Sequence, residues 1–396
     1  MINQKNMQLG KVRSVIRELF EYGKKRKAEI GEENVFDFSL GNPSVPAPKE
    51  VNEALVNLIQ NSNPVFLHGY TSAQGDASVR AAISNYINLR FATNLCADNI
   101  YLTCGAAASL TITLNALLNE GDEVITFAPF FPEYKVFVEH AGGKLVAVQG
   151  EENTFQIDFE KLKNAITEKT KAVIINSPNN PSGVVYSEKT VKNLCQTLNE
   201  FSKKFNTEIY LISDEPYREL VIDKNIKVPY VMNYYTNSVV CYSYSKALSL
   251  PGERIGYIAV NNQIANWQDL YAAICGAGRA LGYVCAPNLF QQLIKKVIDK
   301  TADVSIYKNN RDILVSALTE YGYTVVKPDG AFYLFVKALE EDADAFCERA
   351  KNYELLIVSG NSFGTPGYVR ISYCVDEKMI KNSLPAFKAL AQSYKA

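Results

Sequence analysis

A lysine that directly follows a buried strand has the clearest chemical use of any residue in this sequence. Lys246 ends the segment SYSK, which comes after the apolar run Val239–Tyr242. A lysine that is partly desolvated and close to another cation has a lowered pKa, and its neutral amine attacks carbonyl carbons. Arg254 is eight positions further on and offers a permanent cation whose planar fork suits phosphate. We interpret Lys246 as a candidate nucleophile; the alternative is an ordinary surface lysine.

Other predicted strands also end in residues that suit a ligand site. Gly105, Ala106 and Ala107 open a predicted helix, whose free N–H groups and dipole favour phosphate, although a tightly packed helix start gives the same pattern. Phe131 offers a ring for stacking, but a core position is the alternative. Asp214 offers a carboxylate for a protonated ring nitrogen, and otherwise a helix cap.

Composition narrows the classes of protein that remain. The chain has 396 residues, of which 47% are hydrophobic, and its net charge is −1, so nucleic acid and anionic membranes are not expected partners. The two histidines, His68 and His140, stand in no triad-like or ligand-spaced motif, so neither serine-hydrolase chemistry nor a metal site is expected. Met1–Gly10 has no apolar signal core, and the eight cysteines form no C-x-x-C pair. We expect a cytoplasmic location.

Short apolar runs alternate with amphipathic stretches between about residues 95 and 260, which predicts an α/β layer with a mostly parallel sheet. The predicted strands are Ile100–Thr103, Glu123–Phe127, Lys144–Val148, Ala172–Ile175, Ile209–Ile212, Val239–Tyr242 and Ile255–Val260. The predicted helices among them include Ser109–Asn119, Pro132–Ala141 and Ser187–Phe205. Too few residues separate Lys246 from the last strand for a parallel crossover, so that strand is expected to be antiparallel to the one before it.

The segments on either side predict a second, smaller domain of the α+β type. A charged amphipathic helix is expected over Leu9–Ile30 and a loop over Phe36–Pro48, and Ala286–Leu318 is expected to be helical. Short strands and two helices follow towards the C-terminus. We expect the large domain to span residues 45–290, and residues 1–44 and 291–396 to form the small domain.

Seven ordered motifs give the chain a recognisable resemblance. They are SLGNPS (39–44), GYTSAQGDASVRAAI (69–83), TCGAAASL (103–110), NSPNNPSG (176–183), SDEPYREL (213–220), SYSKALSLPGERIGY (243–257) and YVRIS (368–372). With these motifs the chain resembles the class I and II aminotransferases, the fold-type-I enzymes that depend on pyridoxal 5′-phosphate and include aspartate aminotransferase. The resemblance implies a seven-stranded, mostly parallel sheet between helices, a smaller α+β domain, and exchange of an amino group between an amino acid and a 2-oxo acid.

The resemblance also implies roles for individual residues. Lys246 looks like the lysine that forms the Schiff base, Asp214 like the partner of the pyridine nitrogen, and Tyr217 like a partner of the ring's phenolic oxygen. The residues that match cofactor contacts of the family are Gly105, Ala106, Ala107, Phe131, Asn180, Asp214, Tyr217, Ser243, Lys246, Arg254 and Tyr70. Tyr70 matches a tyrosine that reaches a phosphate across a subunit interface, so a homodimer is expected.

The residues expected to bind the substrate are Gly41, Asn180 and Arg370, with Arg370 gripping the α-carboxylate. Arg279 lies where aspartate-type relatives carry a second arginine, so an acidic amino acid is a lead, although a surface or interface arginine is the alternative. Neutral or aromatic substrates stay open, since a pocket lined by aromatic side chains would suit them. The candidates for that lining are Tyr22, Phe36, Phe38 and Phe363.

Two other functions remain open. A carbon–sulfur β-lyase would use the same cofactor and differ in the shape of its pocket. A regulator with an aminotransferase-like sensor domain would need a DNA-binding module, and the residues before the first motif show no basic patch. A dinucleotide-binding protein is disfavoured, because no G-x-G-x-x-G follows the first predicted strand.

Overall fold

Three sheets organise the chain in the computed structural model, which describes residues 2–11 and 15–395. The strands are β1 (Phe36–Asp37), β2 (Ile100–Thr103), β3 (Glu123–Ala128), β4 (Lys144–Gln149), β5 (Thr170–Asn176), β6 (Tyr210–Asp214), β7 (Ser238–Ser243), β8 (Gly256–Val260), β9 (Val325–Val326), β10 (Tyr333–Lys337), β11 (Leu355–Leu356), β12 (Val358–Ser359) and β13 (Tyr368–Ser372). The largest sheet has seven strands in the order β2-β8-β7-β6-β5-β3-β4.

The direction of the strands in this sheet decides where a ligand site forms. Strands β3 to β7 pair in parallel, and β8 is antiparallel to both of its neighbours, β2 and β7. The expected antiparallel last strand is thereby confirmed. Since β2 and β7 both oppose β8, six strands have their carboxyl ends at one edge of the sheet. In α/β sheets this edge is where ligands bind.

Helices cover both faces of the seven-stranded sheet. The helices of the chain are α1 (Gln4–Lys11), α2 (Val15–Ile30), α3 (Lys49–Asn61), α4 (Pro64–His68), α5 (Ala77–Phe91), α6 (Ala106–Leu117), α7 (Glu133–His140), α8 (Phe159–Ala165), α9 (Glu188–Phe205), α10 (Tyr244–Ala247), α11 (Trp267–Ala280), α12 (Asn288–Val297), α13 (Ser305–Tyr321), α14 (Ala343–Lys351) and α15 (Glu377–Gln392). Val173 and Ile175 of β5 belong to the apolar core on one face, and Ala172 and Ile174 to the core on the other. This alternation places β5 between two helical layers, as the α/β pattern predicted. Among the described residues, no helix is both long and apolar enough to cross a bilayer.

The terminal segments build the two smaller sheets. Strands β12, β13, β10 and β9 form an antiparallel sheet, and β1 pairs with β11 in parallel. A separate apolar core contains residues from α13, α14 and α15 together with Phe38 from the N-terminal part of the chain. Arg370 lies in β13, and the backbone N–H of Ser372 donates to the Phe38 carbonyl at 3.0 Å. The residues expected to bind substrate therefore come from segments that are remote in sequence.

The structure corrects two of the expected elements and tests a third in part. Residues 36–48 are not entirely loop, because Phe36–Asp37 pairs with Leu355–Leu356. The stretch Ala286–Leu318 is helical as expected, but in two separate helices, α12 and α13, with residues 298–304 between them. The expected helix over residues 9–30 includes residues 12–14, which lie outside the described residues, while α2 confirms it over residues 15–30.

Candidate active site

A cavity of about 300 Å³ opens at the carboxyl edge of the seven-stranded sheet and is walled on its other side by the terminal segments. Small-molecule sites of enzymes have volumes of this order or larger. The cavity is lined by Ile16, Gly41, Ala106, Ala107, Leu110, Phe131, Asn176, Asn180, Asp214, Pro216, Tyr217, Ser243, Ser245, Lys246, Pro251, Arg254, Tyr333 and Arg370. Most residues expected from the sequence to form a site are therefore brought together in one place.

The short helix α10 places Lys246 at the carboxyl edge of the seven-stranded sheet. Ser243 caps this helix, because its Oγ accepts a hydrogen bond from the backbone N–H of Ser245 at 3.1 Å. The Lys246 ammonium donates to the Gly41 carbonyl, with 2.5 Å between Nζ and the oxygen. Burial, with help from the charges of Arg254 and Arg370, lowers the pKa of Lys246 to about 8. At pH 7 about a tenth of this amine is therefore neutral and nucleophilic, far more than for an ordinary lysine.

A second group of residues forms a cradle that suits an anion. Gly105 has a φ of +90° and precedes α6, so Ala106 and Ala107 begin the helix with free N–H groups. The positive φ explains the glycine, since a side chain there would be strained, and a Cβ would also lie against the guanidinium of Arg254. Arg254 is fixed by donating to the Pro251 carbonyl at 3.0 Å. A helix N-terminus and an arginine converging on one space favour phosphate.

Asp214 is the last residue of β6 and lies almost fully buried at the floor of the cavity. Its Oδ2 accepts a hydrogen bond from the Tyr134 hydroxyl at 2.5 Å, and its backbone carbonyl accepts one from Asn176 Nδ2 at 2.9 Å. Its Oδ1 is buried and has no hydrogen-bond partner. Burial raises the pKa of Asp214 to about 7, against the opposing effect of the Tyr134 bond. An unpaired buried acceptor is costly, so this oxygen fits a ligand that brings an N–H donor.

Arg370 lies in the wall of the cavity that the terminal segments form, and it is 2% exposed. Its Nη2 donates to the Ser39 carbonyl at 2.5 Å, and its Nη1 donates to Asn180 Oδ1 at 3.1 Å. The rings of Tyr333 and Phe363 have their centroids 4.8 and 5.0 Å from its Cζ. No carboxylate of the described residues forms an ion pair with it, and its buried Nε lacks a partner. A desolvated guanidinium held in this way suits a carboxylate ligand.

A buried ion pair anchors the segment that carries Asp214 and Tyr217. Arg218 and Glu215 contact each other in the interior, where the Arg218 guanidinium lies 4.9–5.1 Å from the ring centroids of Phe91, Tyr230 and Tyr242. Such stacking stabilises a desolvated guanidinium. The charged residues of the motif SDEPYREL therefore have a structural use beside the cavity.

Three of the predicted site residues are not among the residues that line the cavity: Gly105, which lies beside the Arg254 guanidinium, Tyr70 and Arg279. Tyr70 is 90% exposed, next to the exposed apolar residues Val65 and Phe66 of α4. Arg279 is exposed in the last turn of α11. Within the single chain neither the Tyr70 nor the Arg279 side chain joins the other site residues, so their expected roles stay predictions.

The suggested aromatic lining is wrong for this cavity. Phe38 and Phe363 are fully buried in apolar cores, and Tyr22 is exposed on α2. None of the suggested residues, including Phe36, is among the lining side chains. Phe363 instead packs against the guanidinium of Arg370.

Sequence reasoning missed four residues that the structure places at the site: Ile16, Tyr134, Asn176 and Tyr333. Asn176 opens the motif NSPNNPSG directly after a predicted strand, and Tyr134 stands near the start of the predicted helix Pro132–Ala141, so their positions at element ends were available signals. Ile16 and Tyr333 lie far from every motif in the sequence. Only the packing of the terminal segments brings these two to the cavity.

Comparison with known proteins defines the class to which this fold and site belong. The family model described as aminotransferase class I and II matches residues 33–387. The chain is 30% identical to the probable aspartate aminotransferase of Methanocaldococcus jannaschii, covering 95% of this chain and 96% of that one. It is 31% identical to the aspartate aminotransferase of Thermotoga maritima, with coverages of 93% and 95%. The solved structure of an amino transferase from Eubacterium rectale superposes over 100% of both chains with a TM-score of 0.98 and 57% identity.

The chain belongs to the aminotransferase class I and II family. It is therefore a transaminase, and its cofactor is pyridoxal 5′-phosphate. The residues of the cavity fit this cofactor, because Asp214 Oδ1 is an unpaired acceptor for a ring N–H and the Gly105–Arg254 cradle suits a phosphate. The expected fold, with its seven-stranded sheet, is confirmed, and the comparisons favour neither the β-lyase nor the regulator.

Proposed function

We propose that Lys246 is the residue that holds the cofactor covalently and moves the proton during transamination. The observation that carries the proposal is that its amine lies in the same cavity as an unpaired carboxylate oxygen of Asp214 and a guanidinium, that of Arg370, without an ion-pair partner. When bound, pyridoxal 5′-phosphate supplies an aldehyde for the amine and an electron-withdrawing ring. The chain supplies binding, orientation and proton transfer.

The residues proposed to contact the cofactor lie along the carboxyl edge of the seven-stranded sheet. Asp214 would accept the N–H of the ring nitrogen, and the cradle of Gly105, Ala106, Ala107, Ser243 and Arg254 would hold the phosphate. Phe131 lines the cavity and supports the ring face, while Tyr217 and Asn180 donate to the phenolic oxygen. Because Asn180 Oδ1 already accepts from Arg370, its Nδ2 is the atom that faces a ligand oxygen.

The substrate contacts follow from the opposite wall. Arg370 binds the α-carboxylate through its planar fork, next to the Gly41 backbone. Fixing the carboxylate would orient the Cα–H bond towards Lys246, whose amine, when free of the covalent link, would take the proton as a base and return it as an acid. The lowered pKa of Lys246, about 8, suits both directions of this transfer near neutral pH.

An acidic amino acid is the substrate that we propose, because relatives carry the name aspartate aminotransferase. Among the described residues, the cations that line the cavity are Lys246, Arg254 and Arg370, and all three have other tasks. A side-chain carboxylate therefore needs a further cation. Exposed Arg279 is our candidate, and it would reach the cavity of a second subunit.

Substitution of Arg279 by Ala tests the substrate. We expect kcat/KM for aspartate with 2-oxoglutarate to fall about 30-fold or more, since a charged hydrogen bond contributes about 2 kcal/mol, and kcat/KM for alanine to change little. Equal effects on both amino acids would contradict an acidic substrate. A screen of the twenty amino acids against 2-oxoglutarate and pyruvate, read by the 2-oxo acid formed, would then identify the donor.

The assembly, location and domain boundaries are also proposals. We infer a homodimer with Tyr70 at the partner's phosphate, supported by its 90% exposure beside exposed Val65 and Phe66. We propose a cytoplasmic location and a biosynthetic task in amino acid metabolism.

We keep residues 45–290 as the large domain and 1–44 with 291–396 as the small one, although Leu293 of α12 packs in the core of the large sheet.

A further inference from the structure

Tyr333 is a buried cavity residue that no motif and no expected role includes. It begins β10, is 2% exposed, and lies in the wall between the Lys246 end and the Arg370 end of the cavity. Its hydroxyl is 3.0 Å from the hydroxyl of Tyr217. The two rings meet edge to face, with 5.7 Å between their centroids. Tyr333 therefore touches the phenol that we assign to the cofactor's phenolic oxygen.

The same hydroxyl also lies against the backbone that receives the lysine amine. A Cβ on Gly41 would overlap the Tyr333 hydroxyl, so only glycine fits there. The Gly41 carbonyl is the acceptor for Lys246 Nζ at 2.5 Å. The ring of Tyr333 meanwhile lies 4.8 Å from Cζ of Arg370. The Tyr333 side chain thus contacts Tyr217 and the Gly41 backbone, whose carbonyl accepts from Lys246. Its ring also lies beside Arg370, the residue proposed to bind the substrate.

Either phenol can donate in the hydrogen bond between Tyr217 and Tyr333, and the proposed contact of Tyr217 with the cofactor selects Tyr333 as the donor. Burial raises the pKa of Tyr333 to about 12 and that of Tyr217 well above its ordinary value, so both hydroxyls are protonated at neutral pH. In the part of the chain that the structure describes, Tyr217 is the hydrogen-bond partner recorded for the Tyr333 hydroxyl. If Tyr217 donated to Tyr333, its single proton would not be available to a ligand. Donation from Tyr333 leaves the Tyr217 proton free to point into the cavity.

We propose that Tyr333 is a positioning residue that donates to the Tyr217 oxygen and so makes Tyr217 a directed, stronger donor to the phenolic oxygen of the cofactor. Chains of hydrogen bonds strengthen one another, because a hydroxyl that accepts a bond donates more strongly. The inference rests on the proposed function, in which Tyr217 contacts that oxygen. It adds a residue whose action reaches the reaction through another side chain.

The effect has a spectroscopic readout that a purely structural role would not change. A hydrogen bond donated to the phenolic oxygen would lower the basicity of that oxygen. The proton that the oxygen shares with the lysine nitrogen would then be lost at a lower pH. Loss of the Tyr333 hydroxyl therefore raises the pH midpoint at which the visible absorbance of the resting, lysine-bound cofactor changes. The ring that supports Arg370 remains in Tyr333→Phe, so the loss should affect kcat more than KM.

The experiment is a pH titration of the visible absorbance of resting holoenzyme. Tyr333→Phe should move the midpoint upward by about 0.3–0.7 pH unit, the size that the loss of part of a hydrogen bond gives. Tyr217→Phe should move it further in the same direction, and the double variant should match Tyr217→Phe alone, because the Tyr333 effect passes through Tyr217. The matched control is Tyr323→Phe, which removes a buried hydroxyl that donates to the Phe387 carbonyl at 2.9 Å, remote from the cavity; it should leave the midpoint unchanged.

A second variant gives the opposite sign and keeps the fold. Incorporation of 3-fluorotyrosine at position 333 makes the hydroxyl a stronger donor and should lower the midpoint. An unchanged midpoint in Tyr333→Phe, additive shifts in the double variant, or an upward shift with the fluorinated residue would each overturn the proposal. If wild-type protein showed no lysine-bound absorbance at all, the proposed function itself would fail, which is a different result.

Discussion

The two ends of the cavity are built from different parts of the chain. The cofactor end is made by residues at or just after the ends of strands of one sheet, among them Gly105, Asp214 and Lys246. The substrate end is made by Gly41 and Arg370, with Ile16, from segments that are separated by most of the sequence, and Tyr333 lies between the two ends, in contact with Tyr217 and beside Arg370. The first end is fixed by local chain direction, and the second depends on how the terminal segments pack against the sheet.

The side chains at the two ends of the cavity are therefore positioned in different ways. A strand end fixes a side chain through the ladder of the sheet, as Asp214 is fixed through β6 and its bonds to Tyr134 and Asn176. Arg370 reaches the same cavity through a different sheet, and its Nη2 depends on the Ser39 carbonyl. We expect changes at the cofactor end to alter covalent chemistry, and changes at the substrate end to alter affinity for amino acids.

The largest effect should come from Lys246→Ala. Removal of the amine takes away both the covalent link and the group that moves the proton, so turnover should fall by about 10⁴-fold. The assay is steady-state transamination, together with the loss of the visible absorbance of bound cofactor. Lys27→Ala, which removes an amine paired with Asp37 on the outside of the cavity, is the matched control and should keep full activity. Near wild-type turnover of Lys246→Ala would remove the basis of the proposal.

Asp214→Asn should have the next largest effect. The amide cannot accept a charged hydrogen bond of the same strength from a ring nitrogen, so kcat should fall by about 10²-fold or more while the lysine link still forms. Single-turnover absorbance and kcat measure the two parts separately. Asp329→Asn, at a partly buried carboxylate that accepts from the Val185 N–H, is the control. An equal loss in both variants would assign Asp214 to stability alone.

At the substrate end, Arg370→Lys should weaken amino acid binding with little effect on the cofactor. One ammonium cannot reproduce the fork of the guanidinium, so kcat/KM should fall about 100-fold while the affinity for cofactor stays within about twofold. Arg311→Lys is the control, because Arg311 is also buried but pairs with Asp312. Equal losses of cofactor and substrate affinity in Arg370→Lys would erase the distinction between the two ends.

The smallest effect is a pH dependence at the cofactor end. The pKa of Lys246 is lowered to about 8 by burial, with Arg254 and Arg370 adding to the shift and Cys374 opposing it. Below this pH the amine is mostly protonated, so capture of added cofactor by the apoprotein should slow about tenfold per pH unit, and it should level off above pH 8. Stopped-flow absorbance measures the rate. A midpoint near the ordinary value of a lysine would contradict a desolvated amine.

The same contrast explains what the sequence could predict. Lys246 and Asp214 were found because apolar runs of the right length place their last residues at one edge of a parallel sheet. Tyr333 and Ile16 could not be found in this way, since neither carries a local pattern that distinguishes it from a core residue. The break between α12 and α13 was missed because residues 298–304 contain neither the proline nor the glycine that commonly marks the end of a helix. Arg279 and Tyr70 carry predictions that only a second subunit can satisfy.

The central claim is that the amine of residue 246 is covalently joined to the cofactor. Reduction of the purified holoenzyme with borohydride, followed by proteolysis and mass spectrometry, tests it directly. We predict a single modified peptide that contains residues 243–254, with the added mass of the reduced cofactor on Lys246. An adduct on another lysine, or cofactor that dissociates unmodified after reduction, would contradict the account.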